Sequence, residues 1–223
     1  MTDATSPTVL VAGLRLQGRP VLLVGGGSVA TAKAERLLEA GAQLTAVTRT
    51  ATPELVQWAQ QGRLTLVLRD FADADCDGRF FVLSATGTDT DQQVFAACEA
   101  RFTLCNAADV PEACSVWLMA QQQRGSLTLA IGTLGTAPGL AGRLSREALA
   151  GLPPDIDVLL QRYSDLRRWL VRDHAPGQAA LWARTATLRW LAGRRWRFFA
   201  LPTERQRQVL AARHALGFEA EPR

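Results

Sequence analysis

Gly25, Gly27 and Ala30 stand at the spacing G-x-G-x-x-G/A, directly after the apolar run Val21-Leu22-Leu23-Val24. The chemistry such a stretch can do is to hold a pyrophosphate on bare backbone. Gly25 allows a tight turn, with φ values that a side chain would forbid. Gly27 lacks the Cβ that would keep a phosphate off the main chain. Ala30 lets the following helix pack close to the strand. The N–H groups of Ser28, Val29 and Ala30 are then free at a helix N-terminus, where the helix dipole favours an anion. An ordinary strand-to-helix turn has the same spacing. The setting favours the dinucleotide reading: a strand before, a helix after, and a second strand at Gln43–Thr48.

Other candidate residues follow at the ends of later strands. NAD sites place an acid at the end of the second strand to bind the ribose 2′-OH. Here Thr48-Arg49-Thr50 stands instead. Arg49 either receives a 2′-phosphate, which leaves NADP open, or packs flat on an adenine. Thr86 follows a fourth strand, and Asn106-Ala107-Ala108-Asp109 follows a fifth. From spacing alone, Asp109 reads as a turn residue shortly before Pro111.

These residues need elements to carry them. Val21–Val24 has the composition of a strand buried on both faces. Ala30–Ala40 is an amphipathic helix with Gly41 as its C-terminal stop. Pro53–Gln61 is a short helix, Leu64–Leu68 a third strand, Phe71 to Gly78 an acidic loop, and Phe80–Ala85 a fourth strand. Asp89 can cap a helix running to about Arg101, and Phe102–Cys105 is a fifth strand. This alternation implies a parallel, doubly wound sheet, whose ligands sit at the strand C-terminal ends. Two further strands are expected at Ser115–Met119 and Ser126–Ile131, separated by a polar stretch with Arg124-Gly125. A glycine-rich loop, 132–138, then leads into a helix from Gly139 to Ala150. The fold class is therefore α/β: a Rossmann-like sheet, then a small α+β unit, then helices expected at Asp155–Arg172, Gln178–Leu191 and Glu204–Leu216.

Composition narrows the setting. At 223 residues, nearly half of them apolar, the chain can bury a full core and is not a disordered segment. No apolar run approaches the ~20 residues that span a bilayer. The N-terminus lacks the basic and apolar regions of a signal peptide. Cys76, Cys98, Cys105 and Cys114 show no C-x-x-C spacing and read as reduced thiols of a cytoplasmic protein. With only His174 and His214, a histidine-rich metal site is not expected. Residues 1–150 carry 12 basic and 14 acidic residues, a net of −2, and residues 151–223 carry 13 and 7, a net of +6. All but one of the basic residues are arginine, the exception being Lys33. An arginine-rich tail fits an acidic small molecule, a nucleic acid, an acidic partner surface, or simply a solvated helical face. No nucleic-acid recognition motif accompanies it, and Trp169, Trp182, Trp190 and Trp196 read as core of the helical part.

Several stretches together resemble the precorrin-2 dehydrogenase/sirohydrochlorin ferrochelatase family, the N-terminal module of sirohaem synthases and its stand-alone forms. They are Leu16 to Thr50, with Val-Gly-Gly-Gly, Ala30-x-x-Lys33 and Leu37-Leu38-Glu39-Ala40-Gly41-Ala42. To these add Cys105-Asn106-Ala107-Ala108-Asp109-Val110-Pro111 with Ser115, and Gly135-Thr136-Ala137-Pro138-Gly139-Leu140-Ala141. The match covers about residues 8–150. The resemblance implies NAD-dependent oxidation of precorrin-2 to sirohydrochlorin in a homodimer, with Fe²⁺ as a further substrate in members that also chelate. It implies three domains: an NAD-binding Rossmann domain at 1–112, a dimerisation domain at 113–152 and a helical domain at 153–223. It makes Asp109 the catalytic carboxylate. It assigns cofactor contacts to Ser28, Val29, Arg49 and Thr50, which join Gly25 and Gly27 of the glycine turn. Thr86 and Asn106 join them by strand-end position, Asn106 having a purely structural role as its alternative. No resident metal, nucleic acid or membrane is implied. The second glycine loop departs from the family pattern at Leu134 and Ala137, which bears on any anion contact there and on chelation. A non-catalytic NAD(H)-binding or pathway-partner protein is the alternative reading.

Overall fold

The computed structural model describes residues 9–158, 160, 161 and 164. Of the first helix expected in the tail, residues 156–158, 160, 161 and 164 are described and helical; the rest of it, the two later helices, the four tail tryptophans and all thirteen tail arginines lie outside the described residues.

Five short strands form the sheet: β1 (Pro20–Val24), β2 (Gln43–Thr48), β3 (Thr65–Leu68), β4 (Phe81–Ser84) and β5 (Leu104–Ala107). Their order is β3-β2-β1-β4-β5, and every pair is parallel. Between them run α1 (Ser28–Glu39), α2 (Pro53–Gln60) and α3 (Thr90–Glu99). The acidic 71–78 segment contains a 3-10 turn at Asp73–Cys76. The expected Rossmann-like architecture is therefore present.

β1 shows why the sheet holds together. Val21 and Leu23 point into one core layer with Ala30, Ala34, Leu37 and Leu55. Leu22 and Val24 point into the other, with Val82, Val94 and Ala97. All four are at most 2% exposed. A strand buried on both faces needs a continuous apolar run, and this one has it.

Helix ends are set by local chemistry. Thr52 caps α2 by accepting the Leu55 N–H, with Pro53 at the first turn. α1 and α2 close in Schellman turns, with left-handed Gly41 and Gly62. α3 closes in the same hydrogen-bond pattern. There the left-handed position is Phe102, at φ 53° and fully exposed.

The contacts divide the chain into two units. The first comprises the described residues up to 119 together with 132–138, and the second 120–131 with 139 onward. In the second, β6 (Ala120–Arg124) and β7 (Leu127–Ile131) form an antiparallel hairpin, and helix α4 (Pro138–Ala150) follows. The Gly125-Ser126 turn has Gly125 at φ 54°, as a two-residue hairpin with glycine first requires. Here one expectation is corrected. Residues 115–119 are not a strand, and the polar stretch Gln121-Gln122-Gln123 is. Glutamine carries no apolar alternation to reveal a strand; pairing with β7 decides it.

Candidate active site

The strand order reverses between β1 and β4, so the crevice opens at the C-terminal ends of those strands. A cleft of about 620 Å³ lies there. Gly27, Ser28 and Val29 line one side, Ala85–Asp89 with Asp91 and Gln92 another, and Ala108, Asp109 and Val110 the third. Hydrogen bonds carry the sheet register into the loops. Gly25 N–H donates to Val47 O (3.0 Å), Ala85 N–H to Val24 O (2.8 Å) and Ala108 N–H to Ser84 O (2.8 Å). The three loops are thus pinned to rigid strands.

The glycine turn has the backbone its spacing predicts, with an addition. Gly25 sits at φ 120°, and a Cβ there would strike the Ala85 carbonyl. Gly26, not singled out from the sequence, is equally constrained, because a Cβ would strike the Thr50 carbonyl and the Thr48 side chain. Gly27 is different: a Cβ on it would meet nothing within 4 Å. It faces the open cleft. As N-cap of α1 it has no side chain to satisfy the first N–H groups, and no acid stands in the first turn. Residues 28–30 therefore present donors to the cleft with no competing local carboxylate. This cradle fits a pyrophosphate.

Asp109 lies on the opposite rim in the left-handed conformation, φ 62°. Aspartate tolerates that region better than most residues, and an outlier of this kind at a cleft is a recognised mark of a functional position. Lys33 of α1, half-buried and one turn beyond Val29, lies within electrostatic reach of Asp109. Burial, with Arg36, holds the Lys33 ammonium below its ordinary range, while Asp109 pulls it back up.

Five of the residues expected from the sequence come together in this cleft: Gly27, Ser28, Val29, Thr86 and Asp109. Gly25 shapes the turn from beneath. Arg49 and Thr50 are not in its lining. Arg49 is 79% exposed and pairs with Asp70 at 3.3 Å. The Thr50 carbonyl accepts the Thr48 hydroxyl. Asn106 is buried and outside the lining, its amide donating to Val116 O at 2.9 Å. That hydrogen bond ties residue 116 back to β5.

Asp89 is the N-cap residue of α3, as expected, although its side chain makes no cap hydrogen bond. Asp91 is the buried one, receiving hydrogen bonds from Ser84, Thr86 and Gly87. Its signal was available: Asp91 falls on the same helical face as Val94 and Cys98, where an acid has no reason to be unless it is bonded.

The second glycine loop keeps its own hydrogen bonds. Thr133 accepts the Ala137 N–H through Oγ1 and the Thr136 hydroxyl through its carbonyl. Leu134 is left-handed, φ 52°, where glycine would be at ease.

A parallel sheet of this order, with a bare glycine turn opening a helix at its switch point, defines a Rossmann-type dinucleotide-binding protein. The comparisons agree. Residues 12–120 match a family described as "Putative NAD(P)-binding". Siroheme synthase 1 of Aeromonas hydrophila is 39% identical over 154 residues, 69% of this chain and 33% of its own. The siroheme synthase of Citrobacter koseri is 43% identical over 141 residues, 63% of this chain and 31% of its own. The structure of SirC, precorrin-2 dehydrogenase, superposes with a TM-score of 0.68 at 25% identity, covering 92% of this chain and 100% of that one. These likenesses support the family that the sequence resembles, precorrin-2 dehydrogenase/sirohydrochlorin ferrochelatase. It spans about a third of the length of the siroheme synthases it matches. Among the described residues, no helix is long and apolar enough to cross a membrane, and no group of three or more His, Cys, Asp or Glu could hold a metal.

Proposed function

We propose that the protein oxidises precorrin-2 to sirohydrochlorin with NAD as hydride acceptor. The observation that carries this reading is that Asp109 and the bare N-terminus of α1 line one cleft at the switch point of the sheet. The bound nicotinamide would take up a hydride from the macrocycle. Ser28, Val29 and Ala30 would hold the pyrophosphate by their N–H groups, and Gly27 would leave room for it. The oxidation also releases one proton, from a carbon or nitrogen of the macrocycle, and Asp109 is the carboxylate that accepts it.

NAD rather than NADP is the expected form. The Arg49 guanidinium already has Asp70 beside it, so a 2′-phosphate would meet that carboxylate as well as the arginine. The working form proposed on the family resemblance is a homodimer. When Fe²⁺ is a second substrate, Asp109 is also the group that takes the pyrrole protons.

The test is an absorbance assay with purified protein, NAD and precorrin-2. Wild type forms sirohydrochlorin. Asp109→Asn, which keeps the shape and tolerates the left-handed backbone, loses about a hundredfold or more in turnover while still binding NAD. An unchanged rate removes Asp109 from the chemistry, and an inactive wild type removes the function. Parallel assays with NADP, and with Co²⁺ added to sirohydrochlorin, address the cofactor and the chelatase step.

A further inference from the structure

Among the described residues, Asp91 is the only charged side chain that is fully buried. Its side chain accepts hydrogen bonds from the end of β4 and from the turn between β4 and α3. Its Oδ1 accepts from the Ser84 hydroxyl (2.5 Å), the Thr86 hydroxyl (2.8 Å) and the Thr86 N–H (3.2 Å). Its Oδ2 accepts from the Gly87 N–H (3.0 Å). Four donors converge on one carboxylate.

The direction of these bonds has a consequence for the cleft. A carboxylate only accepts, so the single hydroxyl hydrogen of Thr86 points at Asp91. The 3.0 Å contact between Thr86 Oγ1 and Thr88 Oγ1 must then be donated by Thr88. The Thr88 N–H also reaches Thr86 Oγ1, at 3.3 Å, and the Thr90 N–H reaches Thr88 Oγ1, at 3.3 Å. The chain of donors runs one way, from Thr90 through Thr88 and Thr86 to Asp91. Thr86 has no hydroxyl hydrogen left for a ligand. The N–H groups of residues 86–88 are engaged as well, so what this wall offers a ligand is its shape and its backbone carbonyls, in a conformation that Asp91 dictates.

We propose that Asp91 is a positioning residue for the dinucleotide: through the hydrogen bonds it accepts, it fixes the 86–88 turn as one wall of the cleft. This rests on the dinucleotide reading given above. An asparagine would be nearly isosteric and chemically wrong. Whichever way its amide turned, the NH₂ would face a donor, either Gly87 N–H or the group at Ser84 and Thr86.

The test measures NAD affinity by calorimetry, and KM for NAD and for precorrin-2 by the absorbance assay, on wild type, Asp91→Asn and Ser84→Ala. Ser84 is buried, does not line the cleft, and touches Asp91. Asp91→Asn should weaken NAD by about ten- to a hundredfold, and Ser84→Ala by about two- to tenfold. The KM for precorrin-2 should stay within about twofold of wild type, the split that a loss of turn geometry produces and a general loosening does not. Wild-type affinity for NAD in a folded Asp91→Asn overturns the proposal. Should that variant not fold, Ser84→Ala decides, and wild-type NAD affinity there overturns it equally. A wild type that binds no dinucleotide instead defeats the reading beneath it, a result visible before any variant is made.

Discussion

Gly25 and Ala85 stand so close across the β1–β4 seam that no side chain fits between the first and the carbonyl of the second. Two loops that must both reach the cleft are thereby packed backbone to backbone. The contact also explains why two glycines only two residues apart have opposite duties. Gly25 serves the fold, whereas Gly27 leaves the cleft face open, where the proposed cofactor would lie.

That difference is measurable. Gly25→Ala combines a Cβ clash with a left-handed backbone, and should cost about 1–3 kcal/mol of stability along with dinucleotide binding. Gly27→Ala meets no protein atom and has an ordinary φ of −81°. Its melting temperature should change little, while its Kd for NAD rises about tenfold or more. Thermal melts and calorimetry on the two variants check both halves. Equal destabilisation by the two would show that the cleft face of Gly27 is not open.

Phe102 offers a gain. It closes α3 in the left-handed position that glycine takes at the ends of α1 and α2, and its ring is wholly exposed. Phe102→Gly gives up no buried area and relieves the backbone, so it should stabilise by roughly 0.5–1 kcal/mol. Denaturant unfolding with an unchanged m-value, and unaltered NAD affinity, are the expected results.

Asp75 makes stability depend on pH. Arg69 hydrogen-bonds it, as does the Ala72 N–H, and together with the charges of Arg69 and Arg79 they hold its carboxyl below the usual 3.8 against the opposing effect of burial. A carboxyl with a lowered native pKa adds stability above its unfolded value and loses it as pH falls through the native one. Asp75→Asn should therefore melt a few degrees below wild type at pH 7. The gap should narrow on acidification below about pH 4. A gap that stays constant down to pH 2 would contradict the pairing.

Much of the site was legible from residue types because the relevant physics is local. A turn needing positive φ calls for glycine, and Gly25 and Gly41 have it. A strand buried on both faces calls for four apolar residues in a row, as in Val21–Val24. Asp109 was legible only through the family motif. Its spacing alone read as a turn, and it is indeed in a turn, with the left-handed backbone such a turn requires.

Other features depend on neighbours distant in sequence. Gln121–Gln123 form a strand only because β7 pairs with them. Asn106 turns its amide toward Val116, and Arg49 meets Asp70, through packing that no local pattern encodes. Asp89 and Asp91 are two acids one residue apart. Propensity ranks both as helix starters, and only the return of α3 against the end of β4 buries one and leaves the other without a cap bond. Backbone conformation and strand type are settled within a few residues, so the sequence by itself determined the sheet and the glycine cradle. Which polar groups lose their water depends on segments that meet across the fold, so the tertiary structure alone decided the partners of Asp91, Asn106 and Arg49.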